Sequence, residues 1–264
     1  MSIKHIKIGI IGGTGWMGKI MGEALLEKEI VQPQQLWITN REKPNSYSKP
    51  IHFTTHNQAL VDQVDVIILA VRPQQFFELD INARGKLIIS VMAKISMQEI
   101  AKHSEASRII RAMPNAAVVE HLSYTPWCGN ANVTANDKEI AAKIFNCFGL
   151  QDEFSDDDQI NFMTALTGSS HGFFSYVAKN LIDSAVNYGL ERNLAERAIR
   201  QALKGMGKLI GDEESSPHET IDFLTSYGGT TITEAALASL ERDKLNEVIS
   251  RAIEAGYRKA TEVV

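Results

Sequence analysis

The sequence predicts a chain in two parts: an α/β domain on a mostly parallel sheet over residues 1–160, then an all-α domain over residues 161–264. Three observations predict this fold class. Ile6 to Gly18 reads as a buried strand, a glycine turn and a helix start, with Ile6, Ile8, Ile10 and Ile11 running into Gly12, Gly13, Gly15 and Gly18. Asp65 to Val71 and Lys86 to Val91 are short, almost wholly apolar runs, the kind that parallel sheets bury on both faces. From Asn161 onward the apolar residues recur with helical spacing, and no segment reads as a buried strand.

The first element carries the most chemistry. Gly13, Gly15 and Gly18 fit Gly-x-Gly-x-x-Gly, and the strand before and helix after supply the context this fingerprint needs. Such a turn lets backbone approach a pyrophosphate, while the helix N-terminus offers N–H donors and positive dipole. The reading is a Rossmann-type dinucleotide site; the alternative is a plain glycine-rich turn. Ile20, Met21, Ala24 and Leu25 then mark a helix over 19–28, and Gln35 to Thr39 a second strand.

That strand ends in Thr39-Asn40-Arg41, where an NAD site would carry an acidic residue for the ribose 2′-hydroxyl. Donors and a positive charge there suit a 2′-phosphate, so the expected cofactor is NADP(H). Arg41 also reads as a solvated loop residue beside Glu42. A polar loop over 43–50 precedes a short strand at Ile51 to Thr54 and a short helix at Asn57 to Val64. The third core strand stops at Arg72-Pro73-Gln74, where proline lacks the N–H a ladder needs. Lys86 to Val91 and Arg108 to Arg111 are further strands, with a helix at Met97 to Lys102 between them. Ligands of open α/β sheets lie beyond such carboxyl ends. Ser123 to Gly129 is expected as an edge strand, Ala135 to Phe148 as a helix, and Gln151 to Asp158 as a short strand and turn.

The helical candidates are 162–166, 173–188, 194–210, 221–225, 231–242 and 244–262. Wide apolar stripes such as Phe173, Phe174, Val177, Leu181 and Ile182 predict burial against a second subunit; a self-contained bundle is the alternative. Composition sets outer bounds. A net charge of −5 over 264 residues, with no basic cluster, argues against a nucleic-acid surface. No apolar run reaches the roughly 18 residues of a membrane helix. The N-terminus leads straight into the first strand, so no signal peptide is expected. Cys128 and Cys147 lack metal-ligand spacing and read as reduced cytoplasmic thiols. Seven scattered histidines suggest no metal site.

These motifs together resemble the pyrroline-5-carboxylate reductase family along nearly the full chain. Ile8-Gly9-Ile10-Ile11-Gly12 with Trp16-Met17-Gly18, Ile68 to Gln74, Ser90-Val91-Met92-Ala93, Arg111 to Asn115, Thr164 to Ser169 and Gly228-Gly229-Thr230-Thr231-Ile232 carry the likeness. It implies NADPH-dependent reduction of 1-pyrroline-5-carboxylate to L-proline by a homodimer or a larger assembly of dimers. It implies cofactor contacts at Gly13, Thr14, Gly15, Trp16, Met17, Gly18, Asn40, Arg41, Asn57, Ala70, Val71, Arg72 and Ala93. Ser226, Gly229, Thr230 and Thr231 would hold the substrate, with backbone N–H groups on its carboxylate and the Thr231 hydroxyl on the ring nitrogen.

The sequence departs from the family pattern in places. The glycine turn carries one extra residue, and Ser170, His171, Lys179, Phe223 and Tyr227 stand where the family usually has other types. Two alternatives follow. One is a reductase of another cyclic imine or a β-hydroxyacid-dehydrogenase-like enzyme using Lys179 or His171; the other is a non-catalytic nucleotide-binding paralogue.

Overall fold

A computed structural model describes residues 5–40, 47–211, 216–226 and 232–262. Eight strands form one sheet: β1 (Ile8–Ile11), β2 (Leu36–Thr39), β3 (His52–Thr54), β4 (Val66–Leu69), β5 (Leu87–Ser90), β6 (Arg108–Ala112), β7 (Ser123–Gly129) and β8 (Gly149–Glu153). Their order is β3-β2-β1-β4-β5-β6-β7-β8. Every pair is parallel except β6 with β7. The chain winds outward from β1 to β3, then restarts on the other side of β1 at β4. That reversal makes the β1/β4 boundary the topological switch point, where a crevice opens in such sheets.

Alternation along each strand explains the continuous apolar runs. Ile8, Ile10, Ile38, Ile68, Ile89 and Ile110 face one side and join Met21 and Leu25 of α1 (Trp16–Glu27). Ile140, Ile144 and Phe145 of α5 (Ala135–Phe145) complete that layer. Ile11, Ile67, Leu69, Ile88 and Ile109 face the other side. There they meet Leu60 of α2 (Asn57–Val61), Phe76 of α3 (Pro73–Phe76) and Ile100 of α4 (Met97–Ser104). With both faces covered, every residue of β1, β4 and β5 is buried, as the sequence pattern demands.

One expectation is corrected. The strand Ser123–Gly129 is not at the edge, because β8 pairs outside it in parallel register from Ser123↔Gly149 to Trp127↔Glu153. The true edge strand begins two residues before the short strand expected from Gln151, and it carries exposed Leu150 and the charges of Asp152 and Glu153, which discourage further pairing.

The helical part contains α6 (Asp157–Met163), a π-type turn at Thr164–Gly168, α7 (Ser170–Asn187), α8 (Arg192–Leu209), α9 (Pro217–Thr225), α10 (Ile232–Arg242) and α11 (Leu245–Thr261). The chain divides into two compact units: residues 1–169 with 255–264, and residues 170–254. The division therefore falls later than residue 160 because α6 is fastened to the sheet. Arg111, 1% exposed, donates to Asp157 Oδ1 at 3.0 Å and to Asn161 Oδ1 at 2.7 Å, while Ile160 is fully buried. The last turns of α11 also belong to the first unit: Tyr257 donates to Asp158 Oδ1 at 2.6 Å and packs edge-on against Phe162. In the second unit, α7 and α8 pack on each other. Among its described residues only Ala195 and Thr220 are buried. These helices have almost no core of their own.

Candidate active site

The site is built where the parallel strands end. The turn after β1 is folded back on the neighbouring strands: Gly12 and Gly13 N–H groups both donate to Thr39 O at 3.1 Å, and Ala70 N–H donates to Ile11 O at 2.9 Å. Gly12 has φ +84°, a left-handed conformation that side chains disfavour, and a Cβ there would stand 2.7 Å from Ala70 O. A Cβ on Gly18 would stand 2.4 Å from Gly12 O, so the first turn of α1 can lie against the loop only as glycine. Gly15 is the N-cap of α1, with no side-chain cap and no acidic residue in the first turn. The result is a helix N-terminus uncapped by side chains behind a backbone cradle, fit for a diphosphate.

The remaining predicted cofactor residues of the first unit gather at the same carboxyl edge. Asn40 follows β2 directly and its Nδ2 donates to Thr14 Oγ1. Asn57 opens α2, and its Oδ1 accepts from Thr39 Oγ1 at 2.8 Å. Ala70, Val71 and Arg72 follow β4, with Arg72 exposed at the N-cap of α3. Ala93 follows β5 and is half-buried beside Met113 and Cys128. Trp16 heads α1 with 58% of its surface exposed, free to cover a ligand, whereas Met17 packs inward on the core. Arg41 lies outside the described residues.

Arg111, within the Arg-Ala-Met-Pro-Asn stretch, is taken up by the joint with α6, where it donates to Asp157 and Asn161. Asn115 of the same stretch is buried; its N–H donates to Ser123 Oγ at 3.0 Å, and its Oδ1 caps the short turn at Ala116–Glu120.

Of the predicted substrate residues, Ser226 ends α9, is exposed, and donates to Phe223 O at 2.9 Å. Gly229, Thr230 and Thr231 lie outside the described residues, as does Tyr227. Lys179 is fully engaged: it donates to Asp183 at 2.8 Å, and that hydrogen bond, with the carboxylate's charge, raises its pKa. His171 lines a groove between α7 and α8 with Phe174, Ile182, Ile199 and Leu203. No predicted residue accounts for Tyr47, whose hydroxyl reaches the glycine loop; nothing in its polar sequence surroundings marks it. Among the described residues, no cluster of His, Cys, Asp and Glu could hold a metal ion. None of the described helices is long and apolar enough to cross a membrane.

Comparison with known proteins decides the family. A pyrroline-5-carboxylate reductase from Synechocystis sp. is 31% identical over 273 aligned positions, covering 98% of each chain. The chain belongs to the pyrroline-5-carboxylate reductase family. Residues 157–263 match the family model described as pyrroline-5-carboxylate reductase dimerisation. Residues 7–94 match one described as NADP oxidoreductase, coenzyme F420-dependent. Among solved structures, a pyrroline-5-carboxylate reductase from Coxiella burnetii is similar with a TM-score of 0.87 and 27% identity, covering 97% of both chains. A pyrroline carboxylate reductase from Plasmodium falciparum, solved with NADP bound, shares the fold with a TM-score of 0.82 at 24% identity, covering 98% of both. The dimerisation match supports a homo-oligomer, in keeping with the bare helical unit.

Proposed function

We propose that this protein reduces 1-pyrroline-5-carboxylate to L-proline with NADPH. The observation that carries the reading is the uncapped α1 N-terminus behind the Gly12–Gly15 cradle at the β1/β4 switch point, in a chain that matches pyrroline-5-carboxylate reductases over both of its parts. When bound, NADPH supplies the hydride for the C=N carbon. The chain's own residues bind and orient. Backbone N–H groups of Gly15 to Gly18 take the diphosphate, Thr14 and Asn40 steady the loop beside it, and the positive charge of Arg41 suits the 2′-phosphate of NADPH. Ala70 to Arg72 and Ala93 line the crevice beyond β4 and β5.

The substrate is a cyclic imine with a carboxylate. N–H groups of Gly229, Thr230 and Thr231, which precede α10 in the sequence, take the carboxylate, with Ser226 as a further contact. The Thr231 hydroxyl accepts from the protonated ring nitrogen and favours the iminium form, the better hydride acceptor. Positioning of this kind lowers a barrier by about 7–11 kcal/mol, so no strong acid is required. Residues 1–160 serve the dinucleotide and 161–264 the substrate and the dimer contact. The buried free thiols of Cys128 and Cys147 fit a reducing, cytoplasmic setting.

Lys179 stands on a solvated face of α7, paired with Asp183 one turn away, which favours the imine reading over a hydroxyacid-dehydrogenase-like one that would use that amine. Purified protein tests the proposal. Proline should drive NADP reduction at alkaline pH, and Thr231→Ala should lower kcat/KM by about 10²-fold or more. Oxidation of a hydroxy acid without proline activity would replace the proposal with the second reading. NADPH binding without turnover on any imine would leave a nucleotide-binding paralogue.

A further inference from the structure

Residues 47–49 lie along α1, each held at a different point. The Tyr47 hydroxyl donates to Gly13 O at 2.7 Å and lies 3.4 Å from Gly18 O. Ser48 donates through its N–H and its hydroxyl to the Glu23 carboxylate, at 2.9 and 2.6 Å. Lys49 Nζ donates to Leu26 O at 3.3 Å. The Tyr47 ring occupies room that exists because residue 22 is glycine: a Cβ there would stand 2.4 Å from the phenol oxygen and 2.8 Å from a ring carbon. Burial, then the nearby Glu23 charge, pushes the phenol's pKa far above its usual value, so the group stays a donor at any working pH.

Three contacts thus reach the glycine turn from the chain that leaves β2. Thr39 O accepts from Gly12 and Gly13, Asn40 donates to Thr14, and Tyr47 donates to Gly13 O. The first two precede residues 41–46, and Tyr47 follows them. Gly13 is gripped on both its N–H and its carbonyl, which fixes the peptide planes on either side of it. A glycine at that place would otherwise sample several backbone conformations, and each ligand would have to select one.

We propose that Tyr47 is a positioning residue for the dinucleotide: its hydroxyl, seated in the gap left by Gly22, holds the glycine turn in the shape that receives the diphosphate. The inference rests on the NADPH reading of that turn. Tyr47 touches the loop and not the ligand, so its loss weakens cofactor binding and leaves the chemical step intact.

The test is fluorescence titration of NADPH onto the intact homo-oligomer of wild type, Tyr47→Phe, Gly22→Ala and the double variant, with melting curves alongside. One hydrogen bond of about 0.5–1.5 kcal/mol corresponds to a Kd raised roughly 2- to 12-fold in Tyr47→Phe. At saturating NADPH its kcat and its KM for the imine should stay within about 2-fold of wild type. Gly22→Ala, which crowds the ring while adding a better helix former, should raise Kd by a similar factor, and the double variant should bind no worse than the weaker single variant. An unchanged Kd in Tyr47→Phe, with or without a lower Tm, overturns the proposal. So does a fall in kcat at saturation with Kd unaltered, or full additivity of the two substitutions. A wild-type protein that binds no NADPH at all overturns this inference together with the function above it.

Discussion

At Gly12 one methyl group decides whether the site exists. Its φ of +84° and its closeness to Ala70 O leave no room for a side chain, so Gly12→Ala should cost about 1–3 kcal/mol of stability and reshape the turn. NADPH titration should then report a loss of at least 10-fold in affinity, together with a lower urea midpoint. The importance of the glycines is legible from the residues alone, because strand, turn and helix follow one another without a break. Which glycine is left-handed is not: the fingerprint points to Gly13, Gly15 and Gly18, whereas the backbone strain sits one step earlier. Tyr47 is invisible for a similar reason. Its partner is a backbone carbonyl 34 positions away, and no residue type encodes that.

Strands are readable in proportion to how fully both their faces are covered. β1, β4 and β5 announce themselves because both faces are covered, while β8 shows only as a short strand in the acidic stretch from Gln151, because its charged residues serve an exposed edge. The start of α5 is fixed by a cap not singled out from the sequence. Thr134 caps α5, accepting from Asp137 N–H at 3.2 Å, while the Asp137 carboxylate accepts from the Thr134 N–H and hydroxyl. Arg108 meets the other oxygen of that carboxylate at 2.6 Å. Burial raises the Asp137 pKa, but the Thr134 hydrogen bonds and the Arg108 guanidinium together outweigh it and hold the carboxyl below its usual range. A depressed carboxylate stabilises the fold above its unfolded value of about 3.9 and loses that contribution as the pH falls. Asp137→Asn should therefore cost about 1.5–3 kcal/mol in urea unfolding at pH 7, and the gap to wild type should begin to narrow only as the pH falls below about 3.9. Thr134→Ala should cost about 1 kcal/mol. The joint between β6 and α6 is a further case. Removing the buried Arg111 as Arg111→Ala leaves the partly exposed Asp157 with only the Met97 N–H donor and opens a cavity, and should cost about 2–4 kcal/mol, measured the same way.

Residues 170–254 cannot be understood as a monomer. On α7, Phe174, Val177 and Leu181 are 63%, 55% and 50% exposed and recur at helical spacing. Their apolar stripe was plain in the sequence; the near absence of a core beneath it was not, since periodicity reveals a face but not what covers it. Val177→Glu should place a charge where the partner packs, so light scattering should record a smaller species and specific activity should fall with it. Wild-type protein should run as a dimer or a multiple of dimers.

Because residues 255–264 return to the first unit, the helical unit is an insertion rather than an appendage. Two covalent crossings join the units, one at 169/170 and one within α11 at 254/255. A protease that cuts the first crossing therefore releases nothing, as the second still tethers both pieces. Conversely, a chain spliced from residue 169 to residue 255 through a short linker keeps the sheet, the cradle and the Tyr257 anchor in one polypeptide, and should still bind NADPH in a fluorescence titration while losing imine reduction.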